Sequence, residues 1–159
     1  MSDLARRSMR VVVLLLSFFS VLKCDRVTFY KPCDSKGQLV RVDVMPCDAE
    51  NRDPACKLPR DGFVTLTLIF TSPTEIRAAK PSAYVNLNGT KVSVPFTMEK
   101  DSCQRFETSC PLAPNVEHTY TTSVFVSGTY GKLRTVAEWQ IHDQNDQKVT
   151  CLTLPVELV

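Results

Sequence analysis

From residue 64 to residue 70 the chain reads Val-Thr-Leu-Thr-Leu-Ile-Phe, which puts Val64, Leu66, Leu68 and Phe70 on one side and Thr65 and Thr67 on the other. Successive side chains of a strand point to opposite faces, so this period of two predicts an extended segment with one buried face. It opens after the turn-like Pro59-Arg60-Asp61-Gly62 and predicts a central strand. Val40, Val42 and Val44 alternate in the same way with Arg41 and Asp43. Ala83, Val85 and Leu87 alternate up to Asn88-Gly89, the strongest short-range hairpin signal, and Val92 and Val94 return toward Pro95. Residues 120–126 are rich in Thr, Val and Phe and predict a strand covered on both faces. Residues 133–141 place Thr135, Ala137, Trp139 and Ile141 on one side. A polar turn at 143–146 leads into a last strand at 148–154, with 155–159 as its extension. No stretch carries a 3.6-residue period of helical length. Seven or eight short strands with such turn spacing predict an all-β, two-sheet sandwich. It is Ig-like in general architecture only, because the sole Trp139 comes too late for the Cys-Trp-Cys core of a true immunoglobulin domain.

Two segments with different roles are expected. Arg6, Arg7 and Arg10 precede an apolar stretch at 11–16 that resumes at Phe18 and Phe19 and ends at Leu22. A charged n-region followed by a short h-region predicts a secretory signal peptide over 1–24, cleaved just after Cys24, and a single domain over 25–159. Its apolar run is too short for a comfortable bilayer span. Without the leader, Lys plus Arg falls from 19 by four (Arg6, Arg7, Arg10, Lys23) and Asp plus Glu from 17 by one (Asp3), leaving a near-neutral chain. There is no basic surplus for phosphate backbones, which speaks against nucleic acid. The cysteine count falls from seven to six. An even set in an exported domain reads as a disulfide framework. Six cysteines allow 15 pairings. Chain proximity suggests Cys47 with Cys56 and Cys103 with Cys110, leaving Cys33 and Cys151.

Groups suited to catalysis are few. The only histidines, His118 and His142, sit near a strand start and beside a polar turn and read as solvated loop residues rather than general bases. There is no Gly-x-Ser-x-Gly elbow, no His-Glu-x-x-His pair and no Cys-x-x-Cys knuckle, so neither a metal nor another cofactor is expected. Asp143 with Asp146, and Glu99 with Asp101, fall in polar turns where carboxylates serve solubility. Asn88-Gly89-Thr90 is the one Asn-x-Thr acceptor and puts a candidate glycan on Asn88 at the hairpin tip.

Several landmarks occur in a telling order: Val42-Asp-Val-Met-Pro-Cys47, Cys56-Lys-Leu58, Phe70-Thr-Ser, Val94-Pro-Phe96, Cys103 to Cys110-Pro-Leu112, Tyr130, Ala137-Glu-Trp139, Asp143, and Cys151 to Pro155-Val156. From Cys33 to Val159 this resembles the ML lipid-recognition family, and within it the soluble sterol carriers of the Niemann-Pick type C kind. The resemblance implies a sandwich whose sheets splay around an apolar lipid pocket. It also implies three disulfides, Cys33–Cys151, Cys47–Cys56 and Cys103–Cys110. By the same likeness the pocket is lined by Leu58, Val64, Leu66, Val85, Phe96, Val124, Phe125, Val126, Tyr130 and Trp139, with Phe96 and Tyr130 at its mouth. Three positions depart from the sterol-carrier pattern: Val64 replaces an aromatic, Phe125 a proline, and Gly131 the proline expected after Tyr130.

The function so implied is a non-enzymatic carrier of sterol or a related lipid. It would act as a monomer outside the cell or in the lysosomal lumen, handing its cargo to membranes or to a membrane sterol transporter. Competing readings are a co-receptor of the same fold that presents glycolipid, and a carrier of fatty acids or semiochemicals. An adhesion sandwich with a solid core is a further class. On residue pattern alone these stay open, because alternation does not distinguish a filled interior from a hollow one.

Overall fold

Strand β5 (Gly62–Thr71) is the axis around which the chain is arranged. A computed structural model of the chain describes residues 25–49, 54–94 and 103–159. In one antiparallel sheet, β5 lies between β3 (Gln38–Met45) and β8 (Glu117–Val126), with the two-residue β1 (Asp25–Arg26) on the far side of β3. The second sheet runs β2 (Lys31–Pro32), β10 (Lys148–Leu158), β9 (Leu133–His142), β6 (Lys80–Leu87) and β7 (Thr90–Ser93). The three-residue β4 (Cys56–Leu58) adds to β10 in parallel. Ten strands are found among the described residues rather than seven or eight, the excess being the short pieces β1, β2 and β4. Apart from a 3-10 turn at Cys103–Arg105, no helix occurs among them. The two sheets make an Ig-like β-sandwich with one apolar core. The expected leader over 1–24, and with it the apolar run at 11–22, lies outside the described residues.

The predicted alternation sets the orientation of most strands. Along β5, Val64, Leu66, Leu68 and Phe70 are buried while Thr65, Thr67, Ile69 and Thr71 are less so. The hairpin forms at Asn88-Gly89, both with positive φ (51° and 84°), the conformation that two-residue hairpin loops demand. Two expectations need correction. The β3–β5 register shifts between Leu39 and Arg41, and this bulge leaves Val40 45% exposed although it alternates with Val42. β8 is covered on one face only: Tyr120 and Thr122 are buried, whereas Thr121, Ser123 and Phe125 face solvent.

One end of the sandwich is filled. Leu68, Phe70, Ile76, Leu112, Tyr120, Ile141 and Val149 are essentially without solvent contact. Phe106 packs against both Phe70 and Tyr120, with ring centroids 6.1 and 5.2 Å apart. His118 joins this end. Contrary to the sequence reading it is a buried residue, packed against Phe70, and its Nε2 lies 2.7 Å from the carbonyl oxygen of Ala113. It is inward-pointing on β8, two residues before Tyr120, and this register overrides its polarity.

The disulfides are Cys33–Cys151, Cys47–Cys56 and Cys103–Cys110. The first closes 118 residues of sequence. In the chain-entropy view a loop of that size contributes about 5 kcal/mol. The second anchors β4 near the start of β5, and the third closes a surface loop beside the aromatic cluster.

Candidate functional site

At the other end the strands stay paired within each sheet, but the side chains of the two sheets leave a gap between them. β5 contributes Val64 and Leu66, β8 contributes Val124 and Val126, β9 contributes Leu133 and Ala137, and β10 contributes Val156 and Leu158. These side chains are mostly short, and between the sheets they leave a cavity of about 290 Å³. The lining is almost wholly apolar, with Tyr84, Ser93, Tyr130, Thr135 and Glu138 as its polar members. The cavity's size lies at the low edge of the roughly 300–1,000 Å³ typical of small-molecule sites.

Of the ten residues expected around a pocket, nine border this cavity: Leu58, Val64, Leu66, Val85, Val124, Phe125, Val126, Tyr130 and Trp139. Phe96 lies outside the described residues. Their places differ. Trp139 is buried at the inner end, Val124 and Val126 are half-buried on the wall, and Tyr130 is 43% exposed at the rim. Phe125 reaches the rim only, with its ring outside the sandwich against Phe63. Lining residues not anticipated include Val44, Leu133, Leu154, Val156 and Leu158. For β10 the signal was present, because Leu152, Leu154, Val156 and Leu158 alternate straight through the segment treated as an extension.

The rim is tied by polar contacts between chain segments rather than by apolar packing. Arg60 Nε donates to the Val159 carbonyl at 3.2 Å, and its Nη1 donates to the Tyr130 carbonyl at 3.4 Å. The Asp61 N–H donates to the Val126 carbonyl at 2.7 Å, and the Gly128 N–H donates to the Asp61 carboxylate at 2.6 Å. The loop between β4 and β5 thereby holds the end of β8, the β8–β9 loop and the chain after β10.

Charged residues are sparse around the cavity, Glu138 being the one acidic or basic residue among those that border it. Glu138 is on the outer face of the second sheet, where it pairs with Lys91 at 2.9 Å and accepts from Gln140. Burial pushes its carboxyl upward, but the hydrogen bonds from Lys91 and Gln140 and the nearby ammonium charges outweigh this and leave it below the usual carboxylate range. Lys80 holds Asp146 low in the same way, through a hydrogen bond of 2.7 Å. Asp143, buried beside it, accepts the N–H groups of Asn145 and Gln147 at 2.8 and 2.9 Å, so its carboxylate builds a turn. Among the described residues, the one metal-like cluster is Cys33, Glu138 and Cys151, and its two sulfurs are joined to each other. Asn88 is exposed at the hairpin tip.

Residues 27–158 match the family defined by the ML domain. The chain belongs to the ML domain family. Within it the likeness to the Niemann-Pick type C2 branch is close. A protein of Danio rerio named NPC intracellular cholesterol transporter 2 is 30% identical over 92% of this chain and 95% of its own length. The protein of the same name from Bos taurus is 28% identical over 96% of this chain and 98% of its own length. The crystal structure of a Niemann-Pick type C2 protein from the Japanese carpenter ant superposes with a TM-score of 0.73 at 22% identity, covering 82% of this chain and 98% of that one. At that identity the superposition speaks for the ML fold alone.

Proposed function

We propose that this ML domain protein is a carrier that shelters a sterol or related lipid between its sheets and releases it unchanged. The observation that carries this reading is the 290 Å³ cavity walled by Val, Leu, Ala and Trp at one end of an otherwise filled sandwich. A sterol hides roughly 400 Å² of apolar surface, which at about 25 cal/mol per Å² is on the order of 10 kcal/mol before the costs of association. Aliphatic walls supply that affinity without a salt bridge, while a rim open to water lets a lone hydroxyl keep its hydrogen bonds. The names borne by the relatives from Danio rerio and Bos taurus point to cholesterol as the first ligand to try.

In this reading the protein works as a monomer, without a cofactor and without making or breaking a covalent bond. The engagement of polar side chains in turns and ion pairs, rather than in a convergent set within the cavity, supports it. Three disulfides support a working place outside the cell or in the lysosomal lumen, reached through a leader over 1–24, with a glycan on Asn88. Acceptors are membranes or a membrane sterol transporter, engaged transiently.

The test is titration of the delipidated protein with a fluorescent sterol and, in parallel, with fluorescent fatty acids. Saturable one-to-one binding, competed by unlabelled cholesterol, is expected. Absence of saturable binding to any of these lipids would remove the carrier reading.

A further inference from the structure

Two loops cross from one sheet to the other beside the cavity: residues 59–61, between β4 and β5, and residues 127–132, between β8 and β9. The first is flanked by the lining residue Leu58, and the second carries Tyr130 and is flanked by Val126 and Leu133. Inside each sheet the strands are fixed by continuous ladders, β5 to β8 and β9 to β10. A guest wider than the gap therefore enters by parting the loops, not the strands.

The loops are joined through two neighbouring side chains. Arg60 Nη1 donates to the Tyr130 carbonyl at 3.4 Å, while its Nε donates to the Val159 carbonyl at 3.2 Å, just past the end of β10. The Gly128 N–H donates to the Asp61 carboxylate at 2.6 Å, and the Asp61 N–H donates to the Val126 carbonyl at 2.7 Å. Asp61 is held at a φ of 56°, a conformation that Asp adopts more readily than most residues. The fit around it is close. A Cβ at position 128 would stand 2.0–2.5 Å from the atoms of the Asp61 carboxylate, so glycine is needed there. Gly131, in the same loop, has open space instead, with nothing within 4 Å of such a Cβ. Neither Arg60 nor Asp61 is among the residues that border the cavity.

From this arrangement we infer that Arg60 and Asp61 form a clasp across the cavity mouth that sets how fast a lipid guest enters and leaves, and not how tightly it is held. The inference rests on the carrier reading. The fused rings of a sterol are rigid, so such a guest does not thread a narrow mouth by bending, and the clasp must open to let it pass. The bonds are intact when the cavity is empty and close again over a guest that fits. Made equally in both end states, they cancel from the binding equilibrium. They are lost only during passage, where they add to the barrier. Hydrogen bonds in contact with water are individually modest, so the clasp slows exchange about tenfold rather than sealing the cavity. Both are positioning residues: they act through the loops without touching the guest.

The experiment follows a fluorescent sterol by stopped flow, with no vesicles present. Uptake is read on mixing the sterol with delipidated protein, and release on mixing loaded protein with excess methyl-β-cyclodextrin. Arg60→Met removes both guanidinium contacts, and Gly128→Ala drives the Asp61 carboxylate from its place. Each should speed uptake and release by the same factor, about three- to tenfold, and leave Kd within about twofold of wild type. Arg60→Lys, whose ammonium does not span both carbonyls, should fall between wild type and Arg60→Met. Gly131→Ala should match wild type. Unchanged rates in Arg60→Met and Gly128→Ala would overturn the inference. Faster release alone, with Kd weakened in proportion, would overturn it too, because the two residues would then be holding the guest itself. So would exchange rates that merely track the thermal midpoint across all four variants, Gly131→Ala included. Wild-type protein without saturable sterol binding would remove the carrier reading and the clasp's role together, whereas normal binding with unaltered variant rates would remove the clasp alone.

Discussion

The two ends of this sandwich are built from the same four long strands, and they differ in what those strands place inside. Toward one end β5 offers Leu68 and Phe70, β8 offers Tyr120, β9 offers Ile141 and β10 offers Val149, all fully buried. Toward the other the same strands offer Val64, Val126, Ala137 and Leu158 around open space. At about 24 cal/mol per Å³, a cavity of 290 Å³ forgoes on the order of 7 kcal/mol relative to a filled interior. That is comparable to the whole stability of an ordinary domain. The contrast shows how the fold tolerates it: the aromatic cluster and the Cys103–Cys110 bridge consolidate one end, Cys47–Cys56 fastens β4 beside the open end, and the space there is left for a guest.

Four measurements bear on this contrast, ranked by their effect on unfolding free energy. Phe70→Ala removes a fully packed ring and should cost about 3–5 kcal/mol by denaturant unfolding. Val124→Ala at the hollow end should cost about 1 kcal/mol or less, because part of its surroundings is already missing. Equal costs at the two sites would erase the distinction. Next, a bound lipid at a hundredfold excess over its Kd should raise stability by about 2.7 kcal/mol. Hydrogen exchange should then slow most at 62–66, 122–126 and 133–139, and little around Tyr120 and Ile141. Uniform slowing would mean that the two ends act as one.

Third, Val126→Trp extends a large side chain into the void. It should abolish sterol binding while changing stability by less than about 1 kcal/mol, whereas overpacking a filled core costs about 1–3 kcal/mol. Smallest is the acid response of the outer face. Glu138 is held below its usual range, so its pairing contributes fully above about pH 4.3 and is lost as pH falls through the depressed value. Lys91→Met should flatten the stability profile below that pH and cost under about 1 kcal/mol at neutrality. Cavity occupancy measured with fluorescent sterol at pH 7 should not change.

Much of the architecture was legible because period two reports which side chains face inward. It predicts β5, the Asn88-Gly89 hairpin, and the shared face of Thr135, Ala137 and Trp139. It missed Val40, since a bulge inserts one residue and reverses the phase without a mark in composition. It also missed His118, whose burial follows from strand register rather than from its own polarity. The cavity was the hardest feature to read. Alternation shows that Val126 and Ala137 point inward, but not whether the side chains opposite are long enough to reach them. That depends on which residues face each other across the two sheets, a relation carried by topology. The likeness to a known family supplied nine of the lining positions where the residue pattern alone would not have singled them out.

The rigid aromatic end and the open end share continuous strands, so the molecule has the mechanics of a tuning fork, with a stiff stem and two tines that can spread. A bulkier passenger would be registered as a wider gape, resisted in proportion by the tension of the ties at Arg60 and Asp61. Selectivity in such a device is graded: lipids are ranked by how far they force the tines apart, with no sharp line between the admitted and the refused.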